Sequence, residues 1–189
     1  MKTRTTKHMP WADLTELIEK MKSDGNKLHL LATIQSLLGL RIGDTLNLTW
    51  KQLSGGSFTI VEGKTGKSRK MFTNDTLKDA VKEEFSRNFH ARTTDKIFMN
   101  KSGTGTISIS YVNRSLKKAF KKYEIKSDQV SSHMFRKSFC YRVLEDNDFS
   151  DKAIFSISRM LNHANINTTM IYLNLHEREE NIIYESLTL

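Results

Sequence analysis

Apolar residues recur at helical spacing through most of the chain. The first such segment, Asp13 to Met21, predicts a helix that begins near Pro10, a residue tolerated in a first helical turn. A second apolar stripe follows from Leu30 to Leu38. In the second half of the chain, the same periodicity predicts helices over residues 108–123, 131–146 and 150–161, a short one from 167 or 168, and a last one over 176–185.

A single segment alternates in the manner of a β-hairpin. Between Phe58 and Phe72, the stretches FTIVEG and SRKMF flank a KTGK turn. With the helices, this predicts a mainly α fold with a small antiparallel β-sheet, of the α+β class. Because the chain is short, we expect residues 1–189 to form a single domain.

Arg41 interrupts the apolar pattern. When the stripe that starts at Leu30 is extended by its own period, this arginine falls on the buried face. An unpaired buried charge is costly. Two arrangements are therefore open: Gly39 turns the chain and frees the guanidinium group, or the arginine reaches into a pocket where an anion satisfies it.

The helix predicted over residues 108–123 has one apolar face and one cationic face. We name the cationic face the basic ridge; it consists of Arg114, Lys117, Lys118, Lys121 and Lys122. Like charges at helical spacing repel one another. We therefore interpret the ridge as a contact surface for nucleic acid, with a merely solvated face as the alternative.

The overall charge agrees with a polyanionic partner. The 189 residues carry 30 Lys and Arg against 21 Asp and Glu, which gives a formal net charge of +9. The longest apolar-rich stretch, residues 28–40, is too short for a membrane span of roughly 20 residues. The N-terminus does not resemble a secretory signal, and the lone Cys140 excludes an intrachain disulfide. We expect a cytoplasmic protein with Cys140 as a small buried hydrophobe.

Two pairs of residues could carry chemistry. His133 and Arg136 stand three residues apart, so a helix would place a proton carrier beside a permanent cation. His163 and Tyr172 flank a segment rich in Asn and Thr that can cap a short helix and present the tyrosine. Neither pair is diagnostic by itself.

The turn of the predicted hairpin is strongly basic. Lys64, Lys67, Arg69 and Lys70 lie within seven residues, which suits contacts to phosphate groups; a hairpin that only aids solubility is the alternative. The turn does not match a phosphate-binding P-loop, and the histidines lack the spacing of a metal-binding motif, so neither a nucleotide site nor a metal site is predicted.

Over nearly the whole chain, these segments resemble the catalytic domain of the tyrosine recombinase, or phage integrase, family. GLRIGDTLNLTWKQL is similar to the family's first arginine box, with Asp44 where an acidic residue is usual. VEGKTGKSRK resembles its lysine hairpin, HMFR its HxxR box, and LNHANINTTMIY its histidine box followed by the nucleophile. The catalytic residues that the resemblance implies are Arg41, Lys64, His133, Arg136, His163 and Tyr172.

The resemblance implies that the protein breaks and rejoins DNA strands. Tyr172 would form a 3′-phosphotyrosyl ester, His133 would take its proton, and Lys64 would protonate the leaving 5′-oxygen. The two arginines and His163 would stabilise the charge on the phosphate in the transition state. No cofactor is implied, and cleavage should be insensitive to EDTA and independent of ATP.

The resemblance also implies the partners of the protein. Double-stranded DNA is the implied substrate, bound by a homo-tetramer that assembles from a chain monomeric in solution, with an accessory DNA-bending or directionality protein as a further partner. The implied location is the nucleoid of a bacterial or phage-infected host. The apolar residues after Tyr172 would dock either on a neighbouring protomer or on their own domain; these are Leu173, Leu175, Ile182, Ile183 and Leu187.

The chain also departs from the family pattern. The usual N-terminal core-binding and arm-binding domains have no counterpart in it, so we expect either an isolated catalytic domain or a short member of the family. Lys137 follows the HxxR arginine, where histidine is common. Two other functions stay open: a non-enzymatic DNA-binding regulator with an integrase-like fold, and a type IB topoisomerase that relaxes DNA.

Overall fold

Helices form most of the chain, and the two strands pair as an antiparallel hairpin. The computed structural model describes residues 6–127 and 129–187. Within these ranges the predicted mainly α fold with a small sheet is confirmed. The elements are α1 (Trp11–Ser23), α2 (Leu28–Leu38), α3 (Ile42–Leu46), α4 (Trp50–Ser54), β1 (Ser57–Val61), β2 (Ser68–Phe72), α5 (Asp75–Ser86), α6 (Ile109–Lys122), α7 (His133–Glu145), α8 (Asp151–Met160), α9 (Ile166–Leu173) and α10 (Leu175–Ser186).

Three helices were not predicted by the periodicity. Two of them, α3 and α4, have five residues each, which is too short to show a repeat. Helix α4 begins with a capping box between Thr49 and Gln52. Helix α5 has its own signals in the sequence, because Asn74 caps its first turn and Leu77 and Val81 lie four residues apart on its buried side.

The buried apolar side chains of the described residues form two clusters that meet along α7. The first joins α1, α2, α5, α6 and the hairpin to Met134 and Phe135. The second joins α8 and α9 to Phe139, Cys140 and Leu144. The middle of α7, residues 134–140, is therefore buried on every face, which explains why it contains buried polar residues between the clusters. Cys140 is fully buried, as predicted.

The hairpin turns alternate residues toward the protein. Phe58 and Ile60 of β1 and Met71 of β2 are buried, whereas their immediate neighbours within each strand are exposed. The pairing places Ile60 opposite Arg69. The same alternation directs the next residue in phase, Glu62, toward the protein. Glu62 follows β1 directly and is 0% exposed. A carboxylate and an arginine thus occupy inward positions of a small sheet.

The last helix, α10, is only partly covered. Leu175 is buried at its start, but Ile182, Ile183 and Leu187 are exposed. Among residues 6–127 and 129–187, no helix combines the length and the apolar character that crossing a membrane requires.

Candidate active site

Arg41 owes its position to the sharp turn after α2. Gly39 ends this helix in the left-handed conformation, with φ of 60°, and a Cβ there would lie 2.5 Å from the ring of Phe139. The chain then leaves the helical path, and Arg41 precedes α3 in an extended conformation. Its Nη1 donates a hydrogen bond of 2.9 Å to Oε2 of Glu62. Both arrangements open from the sequence therefore apply: glycine turns the chain, and an anion from the protein itself satisfies the guanidinium group.

Arg136 reaches the same place from α7. Its side chain is buried, with Nη1 donating to the carbonyl oxygen of Gly39 at 2.6 Å and Nη2 to that of Leu161 at 3.2 Å. Arg41 also donates to the Leu161 oxygen, at 3.5 Å. One carbonyl thus orients two guanidinium groups. Because these backbone partners are neutral, the charge of Arg136 is left to act on an anion.

A cleft of about 680 Å³ opens beside the two arginines. Arg41, Lys64 and His133 are among the residues that line it. Lys64 lies exposed on the turn between β1 and β2, and His133 begins α7. Burial lowers the pKa of His133, and the nearby charges of Arg136 and other cations lower it further. His133 is therefore neutral at pH 7 and able to accept a proton.

His163 and Tyr172 lie next to each other. Their ring centroids are 5.6 Å apart with an interplanar angle of 80°. Nδ1 of His163 is 2.9 Å from Oγ1 of Thr169, a buried residue of α9 that fixes the imidazole orientation. Burial, reinforced by Arg136 and Arg41, lowers the pKa of His163 to about 4. The imidazole is therefore neutral in this site at pH 7.

The hydroxyl group of Tyr172 is buried and has no hydrogen-bond partner among the described residues. Burial raises the pKa of Tyr172, although the positive charge of Arg136 opposes this effect. Lys137, which follows Arg136, is also buried and places Nζ 4.9 Å from the centroid of the tyrosine ring. A protonated, unpartnered phenol thus lies among several cations.

The structure accordingly brings all six residues implied by the family resemblance into one region. The charge of Arg136 lowers the pKa values of His133 and His163 and opposes the rise in the pKa of Tyr172, so these three side chains lie within range of that charge. The region combines donors for an oxyanion, a neutral imidazole and a phenol, which are the groups needed to transfer a phosphoryl group to tyrosine. Within the described part of the chain, no three His, Cys, Asp or Glu side chains are grouped so that they could hold a metal ion.

Sequence reasoning missed Glu62. Its Oε2 accepts hydrogen bonds from Arg41 at 2.9 Å, Asn162 at 2.9 Å and Thr65 at 3.0 Å. Burial by itself raises the pKa of Glu62, but these three hydrogen bonds and the charge of Arg41 outweigh it and hold the pKa below its ordinary value. The signal was present in the sequence, because alternation along Phe58 and Ile60 leads inward to Glu62.

Arg69 does not lie where a DNA contact was expected. Its side chain is 13% exposed and places Nη2 3.4 Å from Oε1 of Glu62. The reason is the same alternation, which turns it to the side of the sheet on which Met71 is buried. Lys67 and Lys70 remain exposed at the turn and along β2.

The basic ridge is exposed, but its last residue is compensated. Lys122 forms an ion pair with Asp24, which lies in the turn after α1 and also accepts a hydrogen bond from Tyr123. Glu16 and Glu19 line the same surface depression. Asp24, from a distant part of the sequence, therefore neutralises one end of the ridge. The ion pairs of the described residues do not include Arg114, Lys117, Lys118 or Lys121, and these four are the uncompensated part of the ridge.

Known proteins share both the sequence pattern and the fold. The model of the phage integrase family matches residues 7–179. The TnP I resolvase of Bacillus thuringiensis is 28% identical over 168 residues, which cover 86% of this chain and 55% of that protein. The tyrosine recombinase XerC of Pseudomonas entomophila is 30% identical over 151 residues, which cover 78% of this chain and 48% of that protein. The chain spans about half the length of these relatives.

Solved structures agree on the fold. XerA recombinase superposes with a TM-score of 0.73 at 22% identity, over 100% of this chain and 67% of that one. XerH recombinase bound to its difH substrate gives a TM-score of 0.68 at 22% identity, over 95% of this chain and 53% of that one. The mainly helical domain with its hairpin is thus the fold of these recombinases.

Proposed function

This chain belongs to the phage integrase family, and we propose that it acts as a site-specific DNA recombinase that cleaves and rejoins DNA through a covalent bond to Tyr172. The observation that carries the proposal is the convergence of Arg41 and Arg136 on the carbonyl of Leu161, together with a tyrosine hydroxyl that is buried within range of the charge of Arg136. Two oriented guanidinium groups and a nucleophile are what transfer of a phosphodiester to tyrosine requires.

The reaction proceeds without loss of the phosphodiester bond energy. The oxygen of Tyr172 attacks the scissile phosphorus, forms a 3′-phosphotyrosyl ester and expels the 5′-oxygen. His133 accepts the phenolic proton, and Lys64 donates a proton to the leaving oxygen. In the second step a 5′-hydroxyl attacks the ester, the phosphodiester re-forms, and the protons return. Neither ATP nor a metal ion takes part in these steps.

The arginines and His163 provide the electrostatic part of the mechanism. Negative charge grows on the non-bridging oxygens as the fifth bond to phosphorus forms. Arg41 and Arg136 can each offer further N–H groups from a planar fork, which a lysine cannot imitate. The neutral imidazole of His163, fixed through Nδ1 by Thr169, offers its other ring nitrogen as a hydrogen-bond donor.

Double-stranded DNA is the substrate that this chemistry and the charge of the chain support. The XerH structure contains difH substrate, and structures of the Tn1549 transposon integrase contain DNA of a circular intermediate. In this chain Lys64 lines the cleft, and Lys67 and Lys70 are exposed on the same hairpin. The uncompensated part of the basic ridge supplies further phosphate contacts, which makes affinity fall steeply with salt concentration.

A tetramer on two duplexes is the assembly that fits this function, with one pair of strands exchanged at a time. The exposed apolar side chains of α10 support docking of the tail on a neighbouring protomer. Deletion of the chain from His176 onward should reduce assembly on DNA and leave the monomer folded. An unfolded deletion variant would show instead that the tail packs on its own domain.

Residues 1–189 act, in this proposal, as the catalytic domain. The relatives in sequence are about twice as long, so the wider grip on DNA comes from elements outside the part that matches this chain. An accessory DNA-bending or directionality protein is a further partner that would add to this grip on DNA.

The test is covalent capture of the protein on a nicked suicide duplex that carries candidate attachment-site DNA. Wild-type protein should give a protein–DNA band in a denaturing gel, in the presence of EDTA, and Tyr172→Phe should give none. Binding of DNA without a covalent band on any candidate site would favour the regulator. Recombinant joints distinguish a recombinase from a topoisomerase, whose product is relaxed DNA.

A further inference from the structure

One buried carboxylate joins the three segments that hold the proposed catalytic side chains. Glu62 accepts hydrogen bonds from Arg41 itself, from Thr65 beside Lys64, and from Asn162 beside His163. These donors come from the start of α3, the hairpin turn and the loop after α8. A single side chain thus sets the relative positions of three loops, the most distant of which lies 100 residues from Glu62 in the sequence.

The geometry leaves the other side of Arg41 available. Glu62 is 0% exposed, whereas the side chain of Arg41 is 20% exposed and lines the cleft. The carboxylate therefore holds the guanidinium group from within the protein, and a phosphate can approach from the cleft. Without Glu62, Arg41 would keep its 3.5 Å hydrogen bond to the carbonyl oxygen of Leu161 but would lose the carboxylate whose charge opposes repulsion by the other cations around it.

The backbone conformation of Asn162 also fits a role in connecting these loops. Its φ is 55°, in the left-handed region that glycine and asparagine tolerate best. Glycine could form the same turn, but it could not donate the 2.9 Å hydrogen bond to Glu62. The asparagine therefore serves both the turn and the connection, and it links the loop that carries His163 to the hairpin that carries Lys64.

We propose that Glu62 is a positioning residue of the active site: it fixes Arg41 and, through Asn162, the loop of His163 before DNA binds. This inference rests on the proposed recombinase function for its effect on catalysis. It assigns Glu62 no contact with substrate. Its effect is on the rate of the chemical step, because a small displacement of oriented groups lowers that rate strongly.

Glu62→Gln is the decisive variant, since it keeps the size of the side chain and removes its charge. Cleavage of the nicked duplex in a single turnover should slow by about 10²-fold, while the affinity for inorganic phosphate stays equal or increases because one negative charge is gone. Asn162→Gly keeps the left-handed turn and removes one hydrogen bond, and should slow cleavage by about 10-fold. Glu83→Gln is the control for net charge, because Glu83 is a surface carboxylate paired with Lys22 and Arg87. This variant should cleave at the wild-type rate.

A spectroscopic readout separates this inference from the proposed function. A guanidinium group held by a carboxylate rotates slowly, so nitrogen NMR of the wild type should show distinct Nη signals for Arg41, assigned with Arg41→Lys. These signals should merge in Glu62→Gln. Cleavage by Glu62→Gln at the wild-type rate, or distinct Nη signals that persist in this variant, would overturn the inference. If the wild type itself forms no adduct, the proposed function fails, and the NMR comparison alone decides whether Glu62 fixes Arg41.

Discussion

Replacement of Tyr172 by phenylalanine should stabilise the protein while it abolishes cleavage. Among the described residues, the buried hydroxyl group of Tyr172 has no well-aligned hydrogen-bond partner, since the Nη groups of Arg136 donate to the carbonyls of Gly39 and Leu161. A buried polar group in this state has lost its hydration, and here it gains in return only the electrostatic interaction with Arg136. Phenylalanine fills the same space and keeps the contact between the ring and the ammonium group of Lys137.

The magnitude follows from the cost of leaving a polar group unsatisfied. That cost is about 1–3 kcal/mol, and part of it is relieved in the folded protein by the nearby positive charge. We therefore expect the free energy of unfolding to increase by about 1 kcal/mol in Tyr172→Phe. For a chain of this length, such a gain raises Tm by roughly 2–4 °C.

Tyr141 offers a matched control with the opposite sign. Its hydroxyl donates a hydrogen bond of 2.7 Å to the carbonyl oxygen of Leu173, next to the nucleophile. Tyr141→Phe loses this bond, which should decrease the free energy of unfolding by about 1 kcal/mol. Urea and thermal denaturation of both variants without DNA measure the difference. If Tyr172→Phe were destabilised as much as Tyr141→Phe, its hydroxyl would have a partner and the reasoning would be refuted.

Three further predictions concern the turn after α2, the histidine of the site and the basic ridge. Gly39→Ala should lower the free energy of unfolding by about 2–4 kcal/mol in urea denaturation, because φ is 60° and the added Cβ meets the ring of Phe139 at 2.5 Å. Because the pKa of His163 is lowered from 6.5 to about 4, the unfolded chain takes up its proton at higher pH than the folded protein. Its contribution to stability is complete above pH 6.5 and should decline as the pH falls toward 4, a decline that His163→Gln should reduce. Lys117→Ala should reduce the slope of log affinity for DNA against log salt by about 1, whereas Lys122→Ala, which removes a paired cation, should leave this slope nearly unchanged.

The turn after α2 shows which features follow from local sequence signals and which depend on tertiary contacts. The sequence indicated that the helical stripe ends near Gly39 and that Arg41 cannot remain on a buried helix face without a partner. The turn at Gly39 is one remedy, and the other, an anion that satisfies the guanidinium group, depended on a residue 21 positions away, Glu62. Such a pairing needs the hairpin to pack against α3, and periodicity within either segment carries no information on it.

The sequence by itself determined most of the fold and the set of chemical groups. Period 3.6 located seven of the helices, period 2 located the hairpin, and the order and spacing of the four quoted segments indicated the family that the family model then matched. These signals are local, so they are visible in the order of residues. The six residues implied by the resemblance lie together in the structure, although their roles remain proposals.

Only the tertiary structure decided which charges face the site, which face solvent and which cancel. Arg69 is directed to Glu62, and Lys122 is paired with Asp24 from another part of the chain. The short helices α3 and α4 are likewise held by their surroundings, since five residues cannot show a repeat. The physical reason is common to all of them: burial and ion pairing are set by neighbours far apart in sequence, and they become known only when the chain is folded.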